Sequence, residues 1–220
     1  MTEPDFVQIT RASYDAVAVE YAEYVRDELR TNPWERAVLG VFAELVLADG
    51  AGPVADVGCG TGRVTAHLRG LGLDVFGIDL SPGMLAVARS AHPDVRFEVG
   101  SMLALDLPDG ALAGVLAYYS TIHVPDDRLP TVLAEFCRVL APGGHLLLAF
   151  QVGDEPRRLA EVFGHAVTLE FHRRRPERMA ELLDLAGFVV RSRLVREPAA
   201  GERTPQAYLV ARKPSGMDRG

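Results

Sequence analysis

Three glycines with a spacing of two, Gly58, Gly60 and Gly62, are the first candidates for chemistry in this sequence. They follow an apolar run at residues 53–57 and precede a segment of helical character. A glycine-rich turn between a strand and a helix lets backbone N–H groups approach a ligand closely, and it tolerates positive φ angles. The helix N-terminus behind the turn favours an anionic group such as a carboxylate. The turn alone predicts only that some nucleoside-like ligand binds.

Asp79 strengthens this prediction, because it ends the second predicted strand, 21 residues after Gly58. In a doubly wound sheet, an acidic residue about 20 residues after the first glycine reaches the ribose hydroxyls of a bound nucleoside. The dinucleotide fingerprint would need a glycine at position 63, where this chain has Arg63. A phosphate-binding Gly-Lys-Ser/Thr loop is also missing from the sequence. These residues predict a nucleoside-containing cofactor across the ends of the first two strands.

His123 is the best candidate for a general base, because it lies in the loop after the fourth predicted strand. That position is at the carboxyl edge, where α/β sheets bind ligands. A structural histidine that bonds the loop backbone is the alternative. Side chains alternate along a strand, so at most one of Tyr118 and Tyr119 should face the pocket, and we expect Tyr118 to form the cofactor wall. His145 begins a buried strand and is expected to be structural.

Other chemically active residues are given less specific roles. Arg63 either meets the carboxylate of the cofactor or is a solvated helix residue. The arginine run at residues 173–175 is expected to be a solvated face. Cys59 and Cys137 are expected to be free thiols. No cluster of His, Cys, Asp or Glu has metal-ligand spacing, so no metal is predicted.

Strands and helices alternate from about residue 52 onward, which indicates a parallel sheet with helices on both faces. The last two predicted strands, 188–195 and 207–211, are joined by a link too short for a crossover helix, so they should pair antiparallel. The other strands are predicted at residues 53–57, 74–78, 95–99, 114–119 and 145–150, and the helices at residues 64–69, from 82 onward, 129–140 and 176–186.

Residues 5–48 are predicted as helices without a strand, with two apolar stripes. One stripe carries Tyr14 and Tyr21. The other carries Trp34, which we expect to be a core anchor. Core packing or a lid explains both stripes.

The composition and the lack of targeting features predict a soluble cytoplasmic protein. A chain of 220 residues with 48% hydrophobic residues fits one α/β domain, or one domain with a modest lid. The formal charge of −7 argues against non-specific binding to nucleic acid or to an anionic membrane. No apolar run approaches the roughly 20 residues that span a bilayer. The first residues, MTEPDFVQIT, lack the features of a signal peptide.

Five segments, in this order, resemble the class I S-adenosylmethionine (SAM)-dependent methyltransferases: DVGCGTGRVTAHL, GIDLSPGMLAVAR, FEVGSMLALDLP, GVLAYYSTIHVP and RVLAPGGHLLLAF. The resemblance covers roughly residues 12–213. It implies a doubly wound α/β fold with a mostly parallel, seven-stranded sheet, an antiparallel last strand and an N-terminal helical lid. We therefore predict a helical cap at residues 1–50, a SAM-binding domain at 51–213 and a disordered tail at 214–220.

The resemblance also implies roles for individual residues. The three glycines would line the methionine part of SAM, with Asp56 ordering their loop. Asp79 would hold the ribose. An acidic residue is common in the family where this chain has Ser101, so the adenine amine is expected to be held differently or more weakly. The remaining cofactor residues would be Tyr21 in the closing helix, Leu80, Met84, Ser101 and Met102 at the adenine, and Tyr118 with Ser120 near the sulfonium.

The expected reaction is an in-line methyl transfer to a small-molecule acceptor, with S-adenosylhomocysteine (SAH) as product. Such a displacement needs alignment and exclusion of water, and a base only where the nucleophile arrives protonated. The short cap favours a small acceptor. No nucleic-acid or membrane partner is expected, and the protein is expected to be a monomer or a homodimer. A non-catalytic SAM-binding or partner-regulating protein is the alternative. Arg63 and the terminal hairpin disfavour a nicotinamide oxidoreductase.

Overall fold

The computed structural model of the chain describes residues 4–50, 52–199 and 201–215. A seven-stranded sheet forms its centre, and a separate two-stranded hairpin lies beside it. The predicted tail falls outside the described residues from position 216 onward. The strands are β1 (Val54–Val57), β2 (Val75–Asp79), β3 (Phe97–Val99), β4 (Leu112–Tyr118), β5 (Leu140–Gln151), β6 (Arg157–Val162), β7 (His165–Phe171), β8 (Val189–Arg196) and β9 (Gln206–Arg212).

The strand order in the large sheet is β3-β2-β1-β4-β5-β9-β8. Strands β1 to β5 pair in parallel, whereas β9 pairs antiparallel with both β5 and β8. The predicted seven-stranded sheet with an antiparallel last strand is therefore confirmed. Its order reverses between β1 and β4, and open α/β sheets bind ligands in the crevice at such a switch point.

Helices cover both faces of the sheet. One face packs against α6 and α7, with Phe136 and Leu183 fully buried there. The other face packs against α3 and α4, with Phe42 and Leu68 fully buried. The helices are α1 (Asp5–Val25), α2 (Glu28–Thr31), α3 (Pro33–Ala48), α4 (Arg63–Gly70), α5 (Pro82–Ala91), α6 (Leu129–Val139) and α7 (Pro176–Leu185).

Helices α1 and α3 of the N-terminal segment pack against different parts of the molecule. Helix α3 packs on the sheet so closely that a Cβ at Gly114 of β4 would lie 3.0 Å from the Phe42 ring. Helix α1 instead packs against α5 and β7 at the carboxyl edge of the sheet. The expectation that Trp34 anchors the core is wrong, because its side chain is 54% exposed. The buried stripe of α3 is rotated toward Glu35, Leu39 and Phe42, which leaves Trp34 outside it.

The hairpin of β6 and β7 was not predicted. Its two-residue turn, Phe163 and Gly164, has φ angles of 52° and 81°. Two positive φ angles are typical of a type I′ turn, which usually carries Asn-Gly or Asp-Gly. Because Phe163 stands where Asn or Asp is usual, the sequence does not predict this turn. The hairpin packs under α1 through Val167 and Leu169, which are buried with Val17.

Three further findings bear on the sequence-based expectations. Cys59 and Cys137 are free thiols, as predicted. No helix within residues 4–50, 52–199 and 201–215 combines the length and the apolar character needed to cross a bilayer. Over the same residues, no three His, Cys, Asp or Glu side chains gather as a metal-binding group.

Candidate cofactor and acceptor site

A cavity of about 600 Å³ opens at the carboxyl edge of the sheet, under α1 and the β6–β7 hairpin. This volume falls within the range of about 300–1,000 Å³ that is typical of small-molecule sites. All but one of the predicted site residues line it, the exception being Gly62. The lining residues among them are Tyr21, Asp56, Gly58, Gly60, Asp79, Leu80, Met84, Ser101, Met102, Tyr118 and His123.

Gly58 is required where the ends of β1 and β4 meet. Its φ angle is +77°, and a Cβ there would lie 2.2 Å from the Cβ of Ser120. Ser120 in turn donates a hydrogen bond from Oγ to the carbonyl of Val57 at 2.6 Å. Ser120, which we expected near the sulfonium, lines the cavity, and its hydroxyl also ties the loop after β4 to the end of β1. The close approach leaves no room for any side chain at position 58.

Gly62 is the predicted cofactor residue that is absent from the cavity lining. It caps α4 with a φ angle of +75°, and a Cβ would lie 2.5 Å from the Phe97 ring. The glycine is therefore needed for packing of the turn against β3. Gly60, by contrast, has open space at its Cβ position and lines the cavity.

The Asp79 carboxylate joins the two loops that form the floor of the cavity. One oxygen accepts from the backbone N–H of Gly60 and the other from that of Ser81, both at 2.8 Å. Burial raises the pKa of Asp79, and these two backbone hydrogen bonds oppose the rise. Each carboxylate oxygen has two lone pairs, so Asp79 retains acceptor capacity for a ligand hydroxyl.

Asp56 and Arg63 each bring an unsatisfied polar atom to the cavity wall. Asp56 Oδ2 accepts from Thr65 at 2.6 Å, but its buried Oδ1 has no partner within the described residues. Burial raises the pKa of Asp56 to about 7. Arg63 pairs with Glu28 at 2.5 Å, while its buried Nη1 is likewise unpartnered within the described residues. Buried polar atoms normally have partners, so these two mark a place for a ligand with an ammonium and a carboxylate.

Helix α1 is fastened over the second loop. Asp15 Oδ1 accepts from the Ser81 hydroxyl at 2.5 Å and from the backbone N–H of Gly83 at 2.8 Å. Arg11 donates to the carbonyl of Leu80 at 3.1 Å. These contacts hold α1 against the N-terminus of α5 and above the predicted adenine residues. Among these adenine residues, the Ser101 hydroxyl oxygen accepts a hydrogen bond from the backbone N–H of Leu103 at 3.3 Å.

His123 forms a buried chain with Tyr14 and the hairpin. Its Nδ1 lies 2.9 Å from the carbonyl of Glu170, and its Nε2 lies 2.7 Å from the Tyr14 hydroxyl. Because a carbonyl only accepts, Nδ1 carries the proton and Nε2 accepts from Tyr14. Burial lowers the pKa of His123 to about 4, so the ring is neutral near pH 7. The histidine thus bonds backbone, as the structural alternative expected, and also faces the cavity.

Tyr118 and Tyr119 both line the cavity, so the expectation that at most one would do so is wrong. Strand β4 ends at Tyr118, and Tyr119 has a φ of +54°, which breaks the alternation of the strand. The Tyr119 hydroxyl lies 3.0 Å from that of Tyr208. The Tyr118 hydroxyl is buried without a hydrogen-bond partner in the described residues, and burial raises its pKa.

The arginine run is not a solvated face, because its members point to three different places. Arg174 is 4% exposed and donates to the carbonyls of Thr121 and Val124. Arg175 is exposed and pairs with Asp154. Arg173 lines the cavity. The three lie in the irregular segment between β7 and α7, whose side-chain directions a run of identical letters does not reveal.

His145 has the structural role that we predicted. It is buried, and its Nε2 lies 2.9 Å from Asp49 Oδ2. Glu35 is a cavity residue that the sequence did not reveal, since it lies in an amphipathic helix where an acid normally faces solvent. It is 1% exposed, and burial raises its pKa to about 7.

Comparison with known proteins agrees with this geometry. Residues 54–144 match a family model described as a methyltransferase domain. The demethylmenaquinone methyltransferase of Renibacterium salmoninarum is 35% identical over 144 residues, which cover 63% of this chain and 56% of that protein. The chain spans about half the length of the curated relatives it matches.

Solved structures extend the likeness over nearly the whole chain, at the level of the fold. The 1,6-didemethyltoxoflavin-N1-methyltransferase of Burkholderia thailandensis, with SAH bound, has a TM-score of 0.73 and 23% identity, covering 98% of this chain and 92% of that one. The cyclase SpnF has a TM-score of 0.71 and 21% identity, covering 98% and 99%. Residues 54–144 are thus similar in sequence to a methyltransferase domain, and the chain shares the fold of solved methyltransferase structures, in agreement with the resemblance of its five segments.

Proposed function

We propose that the chain binds SAM and transfers its methyl group to a small-molecule acceptor. One observation supports this most directly. The unpartnered Asp56 Oδ1 and Arg63 Nη1 lie in the same cavity wall as the glycine loop and Asp79. An ammonium and a carboxylate on one end of the ligand, and ribose hydroxyls further along, match these groups in charge and hydrogen-bonding capacity.

The predicted residues take complementary roles in this proposal. Asp56 holds the ammonium and Arg63 the carboxylate, while Asp79 accepts from the ribose. Leu80, Met84, Ser101 and Met102 form the adenine wall. Tyr21 and Tyr118 enclose the middle of the cofactor. Gly62 acts indirectly, through the shape of the loop.

When bound, SAM supplies an electrophilic methyl group on a sulfonium and leaves as a neutral thioether. The leaving group needs no proton, so the chain contributes alignment and exclusion of water. Helix α1 supports this role, because Asp15 fastens it to α5 over the cavity.

For an acceptor that arrives protonated, Tyr14 and His123 form a proton path. The Tyr14 oxygen takes the acceptor's proton while the Tyr14 proton passes to His123 Nε2, and the Glu170 carbonyl steadies the other ring nitrogen. The lowered pKa of His123 makes it a weak resting base. Passing the proton through Tyr14 during methyl transfer, rather than before it, fits such a base.

Incubation with methyl-labelled SAM and a panel of small acceptors tests the proposal. We expect labelled product together with SAH. SAM binding without product across a broad panel would instead favour a non-methylating role. The cyclase SpnF, which has this fold, is the observation that keeps such a role as the second candidate.

A further inference from the structure

Three arginines from three separate segments line the cavity. Arg157 comes from β6, Arg173 follows β7, and Arg203 lies in the link between β8 and β9. No acidic side chain in the described part of the chain forms an ion pair with any of them. Their neighbours differ, since Arg158 pairs with Glu170 and Arg175 with Asp154. The three arginines therefore differ from these two neighbours, because they have no carboxylate as an ion-pair partner.

The charges of Arg173 and Arg203 act on Arg157. The pKa of Arg157 is lowered, first by burial and then by the charges of Arg203 and Arg173. The cavity also contains Glu161 and Glu202, but neither contributes to the shift at Arg157. Glu202 is engaged by Arg196. Like charges brought together without a counter-charge destabilise the site, unless an anion occupies it.

Arg173 is held in place by the backbone beside it. A Cβ at Gly153 would lie 3.0 Å from Arg173 Cδ and 3.1 Å from its Cβ, so the glycine leaves room for the arginine stem. The Nε of Arg173 is buried and has no hydrogen-bond partner within the described residues. Buried polar atoms normally have hydrogen-bond partners, so this guanidinium nitrogen in the cavity wall is available to a ligand that supplies an acceptor.

We propose that the methyl acceptor is an anion whose carboxylate or phosphate is held by Arg157, Arg173 and Arg203. This rests on the proposed methyl transfer, because it names the acceptor for the same cavity. Guanidinium groups bind such oxyanions in planar, bidentate geometry. Leu159 and Phe171 line the cavity from the same hairpin, so the acceptor also has an apolar body.

Calorimetric titration of the SAH-saturated protein tests the charge requirement. The probes are two matched pairs, phenylacetate with phenylacetamide and hexanoate with hexanamide, together with phenyl phosphate. We expect each carboxylate to bind at least about tenfold more tightly than its amide, since charge-assisted hydrogen bonds are lost in the amide. The affinity of phenyl phosphate relative to phenylacetate separates a phosphate acceptor from a carboxylate one.

The variants Arg157→Gln and Arg173→Gln locate the anion. Each should weaken binding of the preferred probe by about tenfold or more while leaving SAH affinity unchanged. Arg158→Gln and Arg175→Gln remove the same charge from neighbouring positions outside the cavity and should change neither. Equal losses in the control variants would contradict the assignment to Arg157 and Arg173.

The two proposals fail in different ways. Equal affinity for carboxylate and amide in the SAH-saturated protein overturns the anionic acceptor and leaves methyl transfer standing. For that reason the titrations are repeated without SAH. Failure of SAH to bind, with selectivity for the anions intact, overturns SAM as cofactor and leaves the anion site.

Discussion

The two halves of the cavity are built in different ways. The cofactor half consists of the loops after β1 and β2, where Gly58, Gly60 and Asp79 are fixed by backbone contacts within short stretches of chain. The proposed acceptor half is formed by side chains from the β6–β7 hairpin, the segment after β7 and the β8–β9 link, among them Arg157, Arg173 and Arg203. Backbone shape defines the first half, and side-chain charge defines the second.

This difference separates what the fold determines from what it leaves free. The close contact between Gly58 and Ser120 is part of how β1 meets β4, so the cofactor half belongs to the sheet itself. Much of the proposed acceptor half lies on the β6–β7 hairpin, which is not part of the seven-stranded sheet. A fold of this kind keeps one ligand site and changes the chemistry around it.

The largest effect is expected from Gly58→Ala, which breaks the backbone-built half. The new Cβ would stand 2.2 Å from that of Ser120, at a φ of +77°. Both the collision and the backbone strain act against the loop, so SAH affinity should fall by about 100-fold or more. Titration calorimetry measures the loss, and thermal unfolding shows whether the variant folds.

Gly72→Ala is the matched control. Gly72 also has a positive φ, +96°, but its Cβ position has nothing within 4 Å. That variant should carry only a backbone cost and bind SAH normally. Comparable loss of SAH binding in the two variants would show that contact with Ser120 is not what the loop depends on.

The next effect concerns the proposed proton path through Tyr14 and His123. Tyr14→Phe and His123→Gln should each lower turnover by roughly tenfold to a hundredfold for an acceptor that must lose a proton. The double variant should lose little more than the larger single loss, because the two groups act as one unit. The SAH dissociation constant should stay within about threefold of the unaltered protein.

His165→Gln serves as control, since His165 lies at the surface beside Glu20. Its turnover should be unaffected. Multiplicative losses in the Tyr14 and His123 double variant would show that the two groups act independently and would contradict the shared proton path. Normal rates in folded single variants would leave His123 with a structural role only.

A smaller effect is expected from pH, acting through Asp56. In the unliganded protein, burial raises its pKa to about 7. Pairing with the ammonium of SAH would lower that pKa, so binding releases a proton below pH 7. SAH affinity should therefore rise by up to about tenfold per pH unit as the pH rises toward 7, and then level off.

Asp56→Asn should remove this pH dependence, as titrations between pH 5.5 and pH 8 would show. Glu35→Gln provides the comparison, because Glu35 also titrates at about 7 in the same cavity. A slope that persists in Asp56→Asn and vanishes in Glu35→Gln would assign the ammonium to Glu35 instead.

The contrast between the halves also explains what could be predicted from the sequence. The spacing of Gly58 and Asp79 and the short link before β9 reflect local backbone requirements, so the sheet and the cofactor half were predictable. The hairpin was not, because its Phe163-Gly164 turn lacks the usual residues. Without the hairpin, no pattern could bring Arg157 near Arg173.

Misplaced individual residues have similar causes. Trp34 was expected inside because aromatic residues usually pack, but the helix presents Glu35 to the cavity instead. Tyr119 was expected to point away from Tyr118, but its positive φ breaks the alternation of side chains along the strand. Each error concerns a side-chain direction that depends on tertiary contacts.

Calorimetric titration of SAH into the unaltered protein and into Asp79→Ala tests the central claim most directly. Asp79 bridges Gly60 and Ser81 and is proposed to accept from the ribose. We predict that SAH binds the unaltered protein and that the substitution weakens binding by about 1–3 kcal/mol. An unchanged dissociation constant, or binding of NAD with no binding of SAH, would contradict the account.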